Sequence, residues 1–233
     1  MKNSSIFLLV AALATASVMH AADITGTVTF KGTPPKELPF SAMEDNADCI
    51  AMHKETPTTH HYVVGAKGEF ANVIVYLKGV PAKPVAATAP PVVLDQKGCL
   101  YTPTILAIQT GQKLVVKNSD PCIHNVHSLP TVEGNAGFND AQQAGGPDLN
   151  YTFAKPEMFL KFQCDVHPWM FSWVSVFDHP YFAVSDADGK FTIKDVPPGK
   201  YTIEAAHRKA GVKTQEIEVK DTGTTASFTF EAK

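Results

Sequence analysis

Cys164, His167 and Met170 fall at three-residue intervals in Cys164-Asp165-Val166-His167-Pro168-Trp169-Met170. A thiol, an imidazole and a thioether are thereby gathered on one short loop. A second imidazole, His124, lies forty residues before Cys164 in Pro121-Cys122-Ile123-His124-Asn125-Val126-His127. Soft sulfur donors favour Cu(I), and imidazole suits copper in both oxidation states. A site made of both donor types can pass one electron with little rearrangement. Taken singly, each residue has a plainer reading: Cys164 as a buried free thiol, Met170 as core filling, the histidines as surface imidazoles. The combination, one ligand distant and three on one loop, is what points to a redox metal.

The elements that must hold these residues read as strands. Ile24 to Phe30, Val73 to Leu77, Ile105 to Ile108 and Lys113 to Lys117 alternate in polarity and are rich in β-branched residues. In Met158-Phe159-Leu160-Lys161-Phe162-Gln163-Cys164, alternation puts Met158, Leu160, Phe162 and Cys164 on one face and Lys161 and Gln163 on the other. The thiol is therefore expected to point inward from an apolar face. No long segment has a helical period, though Asp140 to Ala144 could form a single turn. Seventeen prolines and fifteen glycines punctuate short strands, as in sandwiches and barrels. The proline- and alanine-rich stretch from Gly79 to Pro91 reads as a connection between two units. Beyond Pro180, Asp186-Ala187-Asp188-Gly189 and Pro197-Pro198-Gly199 are turns between further strands. The first falls short of a calcium loop, which needs more acidic positions and a terminal Glu.

Residues 91–178 resemble the cupredoxin family, with amicyanin-like and plastocyanin-like spacing. The pattern is Asn118, then Pro121-x-x-His124-Asn125-Val126-His127, then Phe162-x-Cys164-x-x-His167-Pro168-Trp169-Met170. The resemblance implies one type 1 copper ion, with His124, Cys164 and His167 in a plane and Met170 as a weak axial ligand. It picks His124, the residue before Asn125-Val126, over the neighbouring His127. It implies that Asn125 ties the two ligand loops and helps orient the thiolate, and that Asn118 serves a similar tie. Cys122 departs from the pattern, where an apolar residue is usual. The C-terminal region, through Asp186-Ala187-Asp188-Gly189-Lys190-Phe191 and Val196-Pro197-Pro198-Gly199-Lys200-Tyr201, resembles the carboxypeptidase regulatory-like (transthyretin-like) β-sandwich. Its opening strands precede the copper unit. The expected fold is all-β: a cupredoxin-like Greek-key sandwich, residues 91–180, inserted in a discontinuous transthyretin-like sandwich, residues 23–90 with 181–233.

Residues 1–22 read as a secretory leader, with Lys2, an apolar run from Ile6 to Leu13, and small residues at Ala14-Thr15-Ala16 or Ala21-Ala22 for cleavage. An exported, periplasmic or extracellular protein is expected. The apolar run is too short to span a bilayer, and no later segment is apolar enough. Net charge is -3, with no basic run, which excludes an electrostatic nucleic-acid binder. Export places the four cysteines in an oxidising compartment. With Cys164 on metal, three thiols remain and one is left over. Cys49 with Cys99 is the expected pair, with Cys122 free, but spacing leaves the other pairings open. Cys49-Ile50-Ala51-Met52-His53 and His60-His61 contain ligand types without metal-site spacing.

The expected function is one-electron transfer. In cupredoxins the second histidine of the set reaches the surface through an apolar patch. The resemblance therefore implies a docking face of Pro168, Trp169 and Phe171 for a redox protein, with His167 as the port; burial of Trp169 in the core is the competing reading. Copper storage or delivery would use the same ligands, and a metal-free adhesive sandwich would use none. An enzyme is not expected: there is no His-x-His pair for a second copper and no Gly-x-Ser-x-Gly nucleophile.

Overall fold

A sheet with one apolar face must have that face covered, and short alternating strands solve this by pairing two sheets. The chain does so twice. The computed structural model describes residues 20–232, and over these the chain is all-β, with two four-residue helices. The expected leader lies almost wholly outside the described residues; the first strand begins at Ala22.

One sandwich carries the candidate ligands. Its larger sheet runs in the order Ile105–Gln109, Phe171–Phe177, Glu157–Gln163, His124–Leu129, Asn139–Gln142. The opposing sheet runs Tyr101–Thr102, Val92–Gln96, Leu114–Asn118, Leu149–Tyr151. Leu94, Leu114 and Val116 from the smaller sheet share one core with Val126, Leu160, Phe162 and Val174 from the larger. The other sandwich pairs Lys190–Val196, Ala22–Lys31 and Thr224–Glu231 with Phe182–Val184, Ile74–Lys78, Gly199–His207 and Gly211–Val219. Val28, Phe30, Val75, Ile203 and Phe228 are among its core residues. The turn at Asp186 is built as a hairpin: Asp186 Oδ1 accepts from the N–H of Asp188 and Lys190. Gly189 there has φ +70°, and a Cβ would stand 2.4 Å from the Val28 carbonyl oxygen. A small cluster of Ile74, Ile105 and Phe177 joins the two cores. Beside it the Arg208 guanidinium sits 3.4 Å over the Trp173 ring.

Three features depart from the sequence reading. Met158 is exposed, not inward. Phe159 takes φ +54°, and the register with Phe171–Phe177 shifts between Glu157 and Leu160. This bulge inverts the alternation. It buries Glu157, which accepts from the Thr131 N–H and the Asn135 side chain. Residues 140–144 form no helical turn; Asn139–Gln142 pairs with the His124 strand. Finally, the helices α1 (Ser41–Glu44) and α2 (Ala47–Ile50) arise from a segment read as part of the flanking sandwich. Met43 and Cys49 instead enter the core of the ligand-bearing sandwich. Asn46 caps α2 by accepting from the Cys49 N–H at 3.0 Å. Such short helices leave no readable period. No helix among the described residues is long and apolar enough to cross a membrane.

Candidate metal centre

His124 opens its strand, and Cys164 follows the end of Glu157–Gln163. These strands are antiparallel neighbours, with Gln163 opposite His127, so residues far apart in sequence meet at one end of the sandwich. The loop after Cys164 closes on itself. The Cys164 N–H donates to Met170 O at 3.2 Å and the Met170 N–H to His167 O at 2.9 Å. The His167 N–H points at Cys164 Sγ, 3.3 Å away.

This geometry brings three donors together. His124 Nδ1 and His167 Nδ1 are 2.9 Å apart, and Cys164 Sγ is 3.9 Å from His167 Nδ1. Each of the three residues offers a ligand atom within 4.8 Å of the other two, and all three are buried. Met170, fully buried, is held on the same loop by its main chain. The outer nitrogen of His124, Nε2, lies 2.9 Å from Asp120 Oδ2. A carboxylate only accepts, so Nε2 carries a proton, and in the neutral form of the ring that a metal requires the Nδ1 lone pair faces His167 and Cys164. A carboxylate behind an imidazole in this way fixes the tautomer and orientation that a metal requires. The donor set therefore fits a copper ion by chemistry as well as by proximity.

Burial would raise the Cys164 thiol, but His124 and the N–H groups of Asn125, His167 and Val166 outweigh it and hold the thiol below its ordinary range. Burial would lower His124, yet Asp120 and Cys164 bring it above the usual imidazole value. His167 has no carboxylate in contact; burial and then His124 keep it low. Asp120, though buried, is held below the usual carboxylate range by His124 and by the N–H groups of Cys99 and Gly98, at 2.7 and 2.6 Å.

The surrounding ties follow the expected pattern in part. Asn125 Oδ1 accepts from the Asp165 N–H at 2.5 Å, joining the two ligand loops, and its own N–H points at Cys164 Sγ, 3.4 Å away. Asn118 donates to Cys122 O and Gln142 O and accepts from the Asp120 N–H. His127 is outside the cluster, half-buried and paired with Asp165 at 2.9 Å. The disulfide is Cys49–Cys99, and Cys122 is free. Among the described residues, His53, His60 and His61 enter no metal-type grouping.

The expected docking face needs correction. Pro168 is exposed and Phe171 half-buried, but Trp169 is buried and His167 is only 4% exposed. His167 is no surface port because the chain covers it. Cys49 lies beside it, in the sandwich core that also takes in Met43, with Phe40, Met52 and Leu100 packed against that core. Both sulfurs of the disulfide lie within 4.8 Å of a His167 ring nitrogen. The Trp169 indole donates to Cys99 O at 3.0 Å and is thereby turned inward. Sequence reasoning also missed Asp120 and Tyr101, whose hydroxyl donates to Asn125 O at 2.6 Å. For Asp120 a signal existed: a carboxylate four residues before His124, across the Pro121 turn.

No curated protein matches this chain. A family model described as the second β-sandwich domain of BOS complex subunit NOMO1-like proteins matches residues 181–230. Among solved structures, a Cu-containing nitrite reductase (NirK) from Thermus scotoductus SA-01 is 24% identical at TM-score 0.34, covering 42% of this chain and 27% of that one. A methionine mutant of amicyanin in the Cu(I) state is 21% identical at TM-score 0.34, covering 44% of this chain and 97% of that one. An oxidised proline mutant of amicyanin is 22% identical with the same TM-score and coverage. The match thus spans about a quarter of the reductase, 27% of its length.

Proposed function

We propose that this chain binds one copper ion through His124, Cys164 and His167, with Met170 as a weak fourth donor, and carries single electrons between redox proteins. The observation that supports this reading is the meeting of two imidazole Nδ1 atoms and one thiol sulfur, one from the start of a strand and two from the loop after its neighbour, with Asp120 behind His124. Copper bound there would supply a Cu(II)/Cu(I) couple. The chain's own residues do the rest. Asp120 keeps the His124 lone pair aimed inward. The N–H groups of Asn125 and His167 favour the thiolate of Cys164. Burial of all three ligands excludes water, and the Asn125–Asp165 tie holds both loops in one geometry.

Adding Cu(II) to the purified chain should give a thiolate-to-copper charge-transfer band and the paramagnetic resonance spectrum of a thiolate-bound site. Cys164→Ser should lose the band while the circular dichroism of the fold remains. An ordinary tetragonal spectrum without the band overturns the reading.

One observation favours copper storage or delivery instead. His167 is covered, not presented to a partner. Fast electron self-exchange would favour the carrier; slow exchange with a colourless, Cu(I)-selective site would favour storage. The carrier reading includes docking near the exposed Pro168 and half-buried Phe171. It also includes export, supported by the leader-like residues 1–22 and by a disulfide of the kind that persists in oxidising compartments. It assigns no catalysis, because the sequence offers no His-x-His pair for a second metal.

A further inference from the structure

We propose that Cys49, Cys99 and Cys122 form a thiol–disulfide exchange centre in which Cys99 has two alternative partners. Cys99 is bonded to Cys49, yet the free Cys122 Sγ lies 3.9 Å from Cys99 Sγ. That is contact distance between a thiol and a disulfide sulfur, the approach from which exchange proceeds. The two contacting residues sit on a common frame. Asp120 accepts the N–H of Gly98 and Cys99 on one side. Asn118 holds both the Asp120 N–H and the Cys122 carbonyl on the other. Cys49, though fully buried, is not part of that frame. It lies in α2, a four-residue helix between Phe40 and His53, where the main-chain bonds are local turns. Exchange would therefore move Cys49 and leave the pair Cys99 and Cys122 in place.

The step balances internally. A bond forms between Cys122 Sγ and Cys99 Sγ, the Cys99–Cys49 bond breaks, and its electron pair leaves on Cys49. Cys49 ends with the proton that Cys122 gave up. One disulfide and one thiol stand on each side, so no outside oxidant or reductant is consumed. The structural consequence falls on His167. The disulfide lies beside its ring, and Cys49 belongs to the core of the same sandwich. Freeing Cys49 removes the covalent tether that holds α2 beside that imidazole.

The exchange step consumes no copper, and its test is run on the metal-free chain, which keeps it separate from that of the carrier reading. The purified full chain is alkylated, digested without reduction and mapped by mass spectrometry, alongside Cys122→Ser. A Cys99–Cys122 linked peptide with alkylated Cys49 is expected in about 0.1% of chains or more, as for a minor state a few kcal/mol or less above the major one. In Cys122→Ser both the linked peptide and the alkylated Cys49 should vanish. A linked peptide below about 0.1% overturns the proposal, since the second pairing would then lie outside the range of an accessible minor state. So does alkylated Cys49 at an unchanged level in Cys122→Ser, which would mean incomplete oxidation.

Discussion

Asp120 is the residue on which the orientation of His124 turns. Replacing it by Asn keeps the size but lets the side chain donate as well as accept, so the His124 proton is no longer held on Nε2. Partners of this kind typically contribute about 10–100-fold in metal affinity, and a copper competition titration of Asp120→Asn should show a loss in that range. Nitrogen NMR of the metal-free chain, at a pH high enough for the ring to be neutral, gives an independent check: His124 should move from one tautomer to a mixture. Unchanged affinity and tautomer would leave Asp120 as a mere loop anchor. The grouping of candidate donors was legible because Cys-x-x-His-x-x-Met with a distant His combines thiol, imidazole and thioether on two short segments. Asp120 was not, because an Asp beside a proline ordinarily reads as a solvated turn. The place of the disulfide beside His167 was not either, since Cys49 lies far away in sequence.

Strand alternation predicted Ile105 to Ile108 and Met158 to Cys164 in the sheet that holds the site, and it failed where the backbone broke the two-residue period. The bulge at Phe159 leaves Met158 38% exposed while Leu160 and Phe162 are buried. Met158→Lys should therefore change stability by no more than about 0.5 kcal/mol. Leu160→Ala should cost about 2–5 kcal/mol through the cavity it leaves. Denaturant midpoints of the two variants measure the contrast, and equal losses would mean that Met158 packs inward after all. Positive φ at a bulky Phe carries no signature in residue type, so such a bulge is invisible to pattern reading. The strand Asn139–Gln142 was missed for a related reason. Its residues are polar, and it is fixed by pairing with the His124 strand rather than by an apolar face.

Across the molecule, the two cores meet different demands. The sandwich without the ligands buries His207 against Tyr62 and Phe70, where its Nδ1 accepts the Ala210 N–H at 3.0 Å. That bond requires the neutral ring, and burial pushes the imidazole down to about 4 from its ordinary 6.5. Between these values the unfolded chain takes a proton that the folded chain refuses. The stability from His207 is thus complete above pH 6.5 and drains away as pH falls toward 4. Over that window the advantage of wild type over His207→Phe in denaturation should shrink by about 3 kcal/mol. A constant difference would place the ring in water. At the ligand-bearing end, a copper-edge X-ray absorption spectrum of the loaded full chain decides where the ion sits. One sulfur and two imidazole nitrogens in its nearest shell is the expected result. A shell of nitrogen and oxygen donors without sulfur would contradict the metal centre built from His124, Cys164 and His167.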